Sequence, residues 1–307
     1  MLDLIRTAFA GPAQARAAHR QALKAKPSIK TGVAQLERIC PASTGSDDDA
    51  PIFLLSAGWR SGSTLLQRLV MSDSQVMIWG EPYDECGVIQ ALASSTQAFR
   101  PNWPPEDYYY DGRPPNSLAG DWIANLFPSA ENLHAAHRAF FERLFATTCK
   151  QSGANRWGIK EVRLGVEHCA YLRWLYPRAR FVLLYRNPLD AYRSYSRYGR
   201  SWYDTFPHQT MFTPRQFGQH WKALMAGFLR EADELDALLI PYEELINGGQ
   251  LLTKLENYLD ISIDRHVLSD KVGSSSDGSQ KNNVNWLERH LLKHAVSPIA
   301  QELGYHW

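Results

Sequence analysis

Residues 56–69 read SAGWRSGSTLLQRL, a glycine-bearing turn set between two apolar segments. The run before it, Ile52–Ser56, has the composition of a strand buried on both faces. From Ser63 onward, Leu65, Leu66, Leu69 and Val70 recur at helical spacing. A strand, a turn and a helix start form an anion site from backbone geometry alone. The first helical N–H groups have no intrahelical partner, and the helix dipole stands behind them. Gly58 and Gly62 let the backbone come close to an oxyanion. Ser61, Ser63 and Thr64 add hydroxyls, and Arg60 adds a forked cation. The loop of nucleoside-triphosphate enzymes is G-x-x-x-x-G-K-[ST]. Here three residues separate the two glycines, and Ser63 stands where the lysine should be. A shorter loop with its cation ahead of the second glycine predicts a smaller anion and no obligatory Mg²⁺. The bland alternative is a well-capped strand-to-helix turn.

Outward from this loop, apolar strands alternate with helical patterns. Strands are predicted at 75–79, 156–162, 180–186 and 237–242. Helices are predicted at 129–149, starting on a Ser129 cap, and at 165–175, from Pro188 onward, and at 214–236. This alternation argues for an α/β fold with a mostly parallel central sheet and flanking helices. Residues 97–128 break the pattern with prolines and aromatics and no period, so they read as an irregular insertion covering one end of the sheet. The segment 41–51 reads as a linker. The expected organisation is an N-terminal helical extension with linker over 1–50 and a main domain over 51–307. The 307 residues, 44% hydrophobic, suffice for a large core, and a net charge of +1 gives no field pointing to nucleic acid. Four scattered cysteines fit a reducing compartment, hence the cytoplasm, better than disulfides or zinc. No transmembrane span is expected, since no apolar run reaches about 18 residues. The first 39 residues are basic, as a leader or a membrane-surface helix would be, or as an ordinary surface helix would be.

The order Arg60-Ser61-Gly62-Ser63-Thr64-Leu65 after a buried strand resembles the 5′-phosphosulfate loop of sulfotransferases. That family moves a sulfuryl group from 3′-phosphoadenosine 5′-phosphosulfate (PAPS) to a hydroxyl or amine, leaving adenosine 3′,5′-bisphosphate (PAP). Further along, Arg186 closes an apolar strand and Ser194 follows eight residues later in the next helix. This pair is similar to the family's 3′-phosphate clamp. Tyr242, in PYEEL, is similar to its strand-end tyrosine near the cofactor. The resemblance runs from about 51 to 305 and implies a P-loop-like sulfotransferase fold. Trp59 departs from it, standing where many members carry proline. The loop 272–283 has the family's Gly/Ser/Lys flavour, but its Lys281 and serines match no particular position.

The chemistry requires a base for the acceptor proton, a cation for charge building on the leaving phosphate, and donors for the sulfuryl oxygens. WGEPYDE, 79–85, resembles branches of the family acting on glycans or tyrosines, which makes Glu81 the expected base. Asp84 and Glu161 are weaker candidates. Lys160 lies inside an otherwise apolar strand, where a lysine is costly unless it meets an anion or water. By resemblance it stabilises the leaving group, with Arg60 sharing that role; the alternative is an edge-strand lysine. His134 and His137, and His290 and His294, have helical spacing without accompanying ligands, so no metal is expected. Trp103, Tyr108, Tyr109, Tyr110 and Trp122 in the insertion are candidates to stack on an acceptor or on one another. Arg193, Arg197 and Arg200 read as a solvated face. The resulting expectation is a PAPS-dependent sulfotransferase acting on a hydroxyl of a glycan, glycolipid, peptide or natural product, with no nucleic-acid partner. Oligomeric state is not legible. The competing readings are a kinase-like phosphotransferase, a catalytically silent nucleotide-binding partner module, and a plain α/β domain.

Overall fold

The computed structural model describes residues 17, 26–40, 49–197, 211–269 and 284–306. The basic residues 1–25 other than residue 17, most of the linker (41–48), Arg200, and the loop 272–283 with Lys281 lie outside the described residues. Five strands build one sheet: β1 (Ile52–Ser56), β2 (Val76–Trp79), β3 (Arg156–Glu161), β4 (Arg180–Tyr185) and β5 (Leu238–Pro241). Their spatial order is β2-β3-β1-β4-β5 and every pairing is parallel. The sheet is thus wholly parallel. The main helices are α1 (Ile29–Ile39), α2 (Ser63–Val70), α3 (Val88–Ser95), α4 (Ala130–Phe141), α5 (Thr147–Gln151), α6 (Val166–Leu175), α7 (Pro188–Arg197), α8 (Pro214–Glu231), α9 (Tyr242–Leu245) and α10 (Gln250–Leu259).

Alternation along the strands separates two cores. Ile52, Leu54, Val182, Leu184 and Ile240 face one way, packing with Leu66, Leu69 and Val70 of α2 and with Leu252, Leu255 and Leu259 of α10. Phe53, Leu55, Trp157, Ile159, Phe181 and Leu183 face the other way, into an aromatic-rich core filled by α1, α4, α6 and α8. Near-continuous apolar strands follow from this, since both faces are covered. α1 belongs to the same body: Val33 and Leu36 are buried, and the Lys30 backbone N–H donates to Glu167 at 2.8 Å.

Local signals act where the sequence puts them. Ser129 caps α4, its hydroxyl accepting from the Asn132 N–H, and Pro188 opens α7. Thr213 and Gln216 close a capping box on α8. The pattern over 129–149 is α4 followed by a π turn, Glu142–Ala146, and then α5. Sheet order decides between the two readings of Lys160, and the last strand stops just short of Tyr242. β3 lies between β2 and β1, so Lys160 is not on an edge strand. The strand near Tyr242 ends at Pro241, and Tyr242 starts the short helix α9. The 97–128 segment is irregular, with short 3₁₀ turns pinned where Tyr108 and Tyr110 bond to Phe127. It packs on α4, leaving an apolar cavity of about 490 Å³ lined by Phe99, Pro104, Tyr109, Phe127 and Leu133.

Two packing features carry expected outcomes. A Cβ on Gly158 in β3 would lie 2.2 Å from the Ile52 carbonyl oxygen of β1, and backbone cannot rotate away. Gly158→Ala should cost about 3 kcal/mol or more, read as a lowered denaturant midpoint. His220 of α8 is buried under the loop that follows β1, and burial holds its pKa down to about 4. Unfolded, the ring titrates near 6.5. Between these values the unfolded state binds more protons, so stability rises with pH across that window and falls as the solution is acidified. The loss is roughly 3 kcal/mol from pH 6.5 to 4. His220→Gln should flatten that part of the stability–pH curve, measured by urea titration at several pH values.

Candidate active site

Parallel strands deliver their following loops to the same sheet edge, and β1 and β4 are neighbours whose chains depart in opposite directions, to β2 and to β5. Crevices of this kind are where open α/β sheets bind ligands. The β1–α2 loop rises into it. Gly58, Arg60 and Gly62 all have left-handed φ values, 84°, 62° and 94°. Every second residue is left-handed, an arrangement that turns backbone N–H groups toward a shared concavity. Arg60 pays about 1 kcal/mol for that conformation, having a Cβ. Trp59 is buried with its ring 5.4 Å from that of His220, which also lies under Gly58. The residue that departs from the family pattern is therefore the loop's anchor. The Ser61 hydroxyl donates to the Gly58 carbonyl at 3.0 Å, so it braces the turn. Ser63 is buried at the first position of α2 and Thr64 is exposed beside it.

Tyr242 lies beneath. A Cβ on Gly62 would fall 2.2 Å from the Tyr242 ring, so glycine there serves both the backbone angle and the contact. The Arg186 guanidinium sits 4.4 Å from the centre of the same ring, a cation–π contact. Arg186 Nη1 donates to the Arg60 carbonyl at 3.1 Å, and Arg60 Nε donates to Ser194 Oγ at 3.1 Å. No carboxylate pairs with Arg186 among the described residues. Arg60 of one sequence motif and the Arg186–Ser194 pair of another thus meet, with Tyr242 under Gly62 and Arg186. Glu243 was not anticipated. Its carboxylate accepts from the Asn187 N–H at 2.8 Å and from the Tyr305 hydroxyl at 2.9 Å, fixing the start of α7. Trp221 adds a bond to the Arg186 carbonyl. Local periodicity carries no sign of either.

A second cluster lies on the other side of β1. Lys160 pairs in register with Leu54 and Glu81 follows β2, so the order β2-β3-β1 brings Glu81, Lys160 and the anion loop along one edge. Lys160 Nζ is 2.6 Å from Glu81 Oε1, with side chains 9% and 18% exposed. A charge-assisted bond at this burial gives the strand lysine the anion it requires. Glu161 points to the opposite face, as alternation predicts. It is fully buried against Arg163. Burial, reinforced by the Glu81 charge, raises the Asp84 carboxyl above its ordinary range.

The other sequence candidates are placed as follows. His137 Nδ1 meets the Tyr171 hydroxyl at 3.0 Å and His134 Nε2 meets the Trp174 carbonyl at 3.2 Å, both within helix packing. Trp103 and Tyr108 stack edge-to-face on each other, and Tyr108 on Phe127, whereas Trp122 is 80% exposed. Arg193 is half exposed and pairs with Asp190. All four cysteines are free thiols. Among the described residues no helix is long and apolar enough to cross a membrane.

Comparison with known proteins bears on this geometry. The description "Sulfotransferase family" matches residues 51–265. No match was found among curated proteins. Among solved structures, the chain is similar to a sulfotransferase domain from the curacin biosynthetic pathway, at 15% identity and TM-score 0.48, over 84% of this chain and 98% of that one. It is similar to a sulfotransferase from Alicyclobacillus acidocaldarius, at 15% identity and TM-score 0.40, over 81% and 96%. Mouse sulfotransferase SULT7A1 complexed with PAP matches at 13% identity and TM-score 0.39, over 78% and 65%. The family match spans well over half of the chain and takes in both loops of the crevice. On that match, the chain belongs to the sulfotransferase family.

Proposed function

We propose that this sulfotransferase uses PAPS as its donor and a hydroxyl of a glycan, glycolipid or peptide as its acceptor. The observation that carries the reading is the meeting of Arg60, Arg186 and Ser194 from two loops far apart in sequence. In this reading the Arg60–Leu65 segment holds the 5′-phosphosulfate: Gly62 admits it, Ser63 and Thr64 face it, and Ser61 keeps the turn in shape. Arg186 and Ser194 hold the 3′-phosphate, with Tyr242 bracing Arg186. A residue set with two arginines and a left-handed loop at a helix start suits a ligand with two separate anionic ends. PAPS supplies an activated sulfuryl group whose S–O bond to phosphate is broken in the transfer.

The residues then divide the work. Glu81 accepts the proton of the acceptor hydroxyl as its oxygen bonds to sulfur. Lys160, released from Glu81, counters the charge that builds on the leaving phosphate, and Arg60 shares that role. At rest, the Lys160–Glu81 bond keeps both groups in place with little exposure to water. Free thiols at all four cysteines suit work in the cytoplasm. The Glu81-Pro82 sequence is what favours the glycan or peptide branch.

Glu81→Gln keeps the shape and removes the base. Measured as PAP release from PAPS across a panel of hydroxyl acceptors, its kcat should fall at least about 100-fold. Affinity for PAP should stay close to wild type. A rate within a few-fold of wild type would remove Glu81 from the chemistry.

A further inference from the structure

We propose that Arg163 is a positioning residue that locks the Glu81–Gly87 loop, so that Glu81 is presented to Lys160; the catalytic part of this inference rests on Glu81 being the base. The Arg163 side chain is 3% exposed. Its Nε and Nη2 fork onto the Glu161 carboxylate at 2.8 and 2.5 Å, and Glu161 also accepts from the Val162 N–H at 2.8 Å. The remaining arm, Nη1, donates to the Asp84 carbonyl at 2.8 Å. Glu161 thus spends its charge on aiming a guanidinium at the backbone of a neighbouring loop.

That loop needs holding. Tyr83 and Asp84 are consecutive non-glycine residues with left-handed φ values of 54° and 38°, and Gly87 follows at 57°. Such a conformation persists when its surroundings over-determine it. The Asp84 N–H closes the turn onto the Glu81 carbonyl at 3.1 Å, so the bond from Arg163 lies one turn from the proposed base. Lys160 and Glu161 are adjacent on β3 and point to opposite faces. The loop is therefore tethered twice, to β3 by the Lys160–Glu81 bond and to the segment just after β3 by the Arg163–Asp84 bond. Removing the second tether leaves the Lys160–Glu81 bond to hold the loop to β3, and the strained turn is free to relax.

The test is Arg163→Lys in the full chain, read by hydrogen exchange and by kinetics. Lysine keeps the charge but cannot fork onto Glu161 and reach Asp84 together. Amide exchange within 81–87 should accelerate about tenfold or more while β1 and α2 keep wild-type protection. The kcat should fall by about tenfold or more with PAP affinity unchanged. Should Arg163→Lys fail to fold, Glu161→Gln, which weakens the fork while leaving both side chains in place, should shift the same two readouts in the same direction. Wild-type exchange across 81–87 overturns the proposal, and so does a loss of PAP affinity in step with rate, which would mark a merely structural pair. Loop exchange is measured without turnover. Accelerated exchange with unchanged kcat would sink the catalytic part, and an unimpaired Glu81→Gln would show the base assignment to be the point of failure.

Discussion

The contact between the β1–α2 and β4–α7 loops organises the rest of the molecule's chemistry. It exists because β1 and β4 are adjacent and parallel, with connections that leave in opposite directions. At that junction the Arg186 guanidinium reaches the Arg60 backbone and the Arg60 guanidinium reaches Ser194. An anion lying in that crevice would meet both guanidinium groups. Tyr242 steadies the arrangement from below, against both Gly62 and Arg186. Supports stand behind each arm: Trp59 and His220 under the loop, Glu243 and Trp221 around the start of α7.

The acid–base end of the crevice obeys a different balance. Lys160 and Glu81 are largely withdrawn from water, and each would be costly alone. Their mutual bond offsets that cost. On the proposed reading, an anionic group arriving at the neighbouring loop would divide this pair and leave Glu81 as the base. Glu161, on the other face of the same strand, and Arg163, two residues further on, hold the turn from behind.

Much of this was legible in the sequence because it rests on local physics. Apolar runs bounded by turn residues gave all five strands within a residue or two. Ser129 and Pro188 marked helix starts, and alternation correctly put Lys160 and Glu161 on opposite faces. What escaped depends on strand order, which no local pattern encodes. That β3 is interior decides whether Lys160 must find an anion, and only the sheet shows it. The same holds for Gly158, a glycine because Ile52 of the neighbouring strand passes so close. Trp59 read as a departure from a motif, and the buried His220 that explains it comes from a helix some 160 residues away. The insertion's aromatics gave no period, and their packing on α4 follows from side-chain fit alone.

The central claim is that one anion with two charged ends spans the crevice between these loops. Calorimetric titration of PAP without divalent metal, on the wild type and on Arg186→Ala, tests it most directly, with ATP plus Mg²⁺ as the control. The account predicts metal-independent binding of PAP that weakens by about 100-fold in the variant, as for a lost bidentate charge-assisted contact. Equal binding by both proteins, or a preference for ATP with Mg²⁺ over PAP, would contradict it.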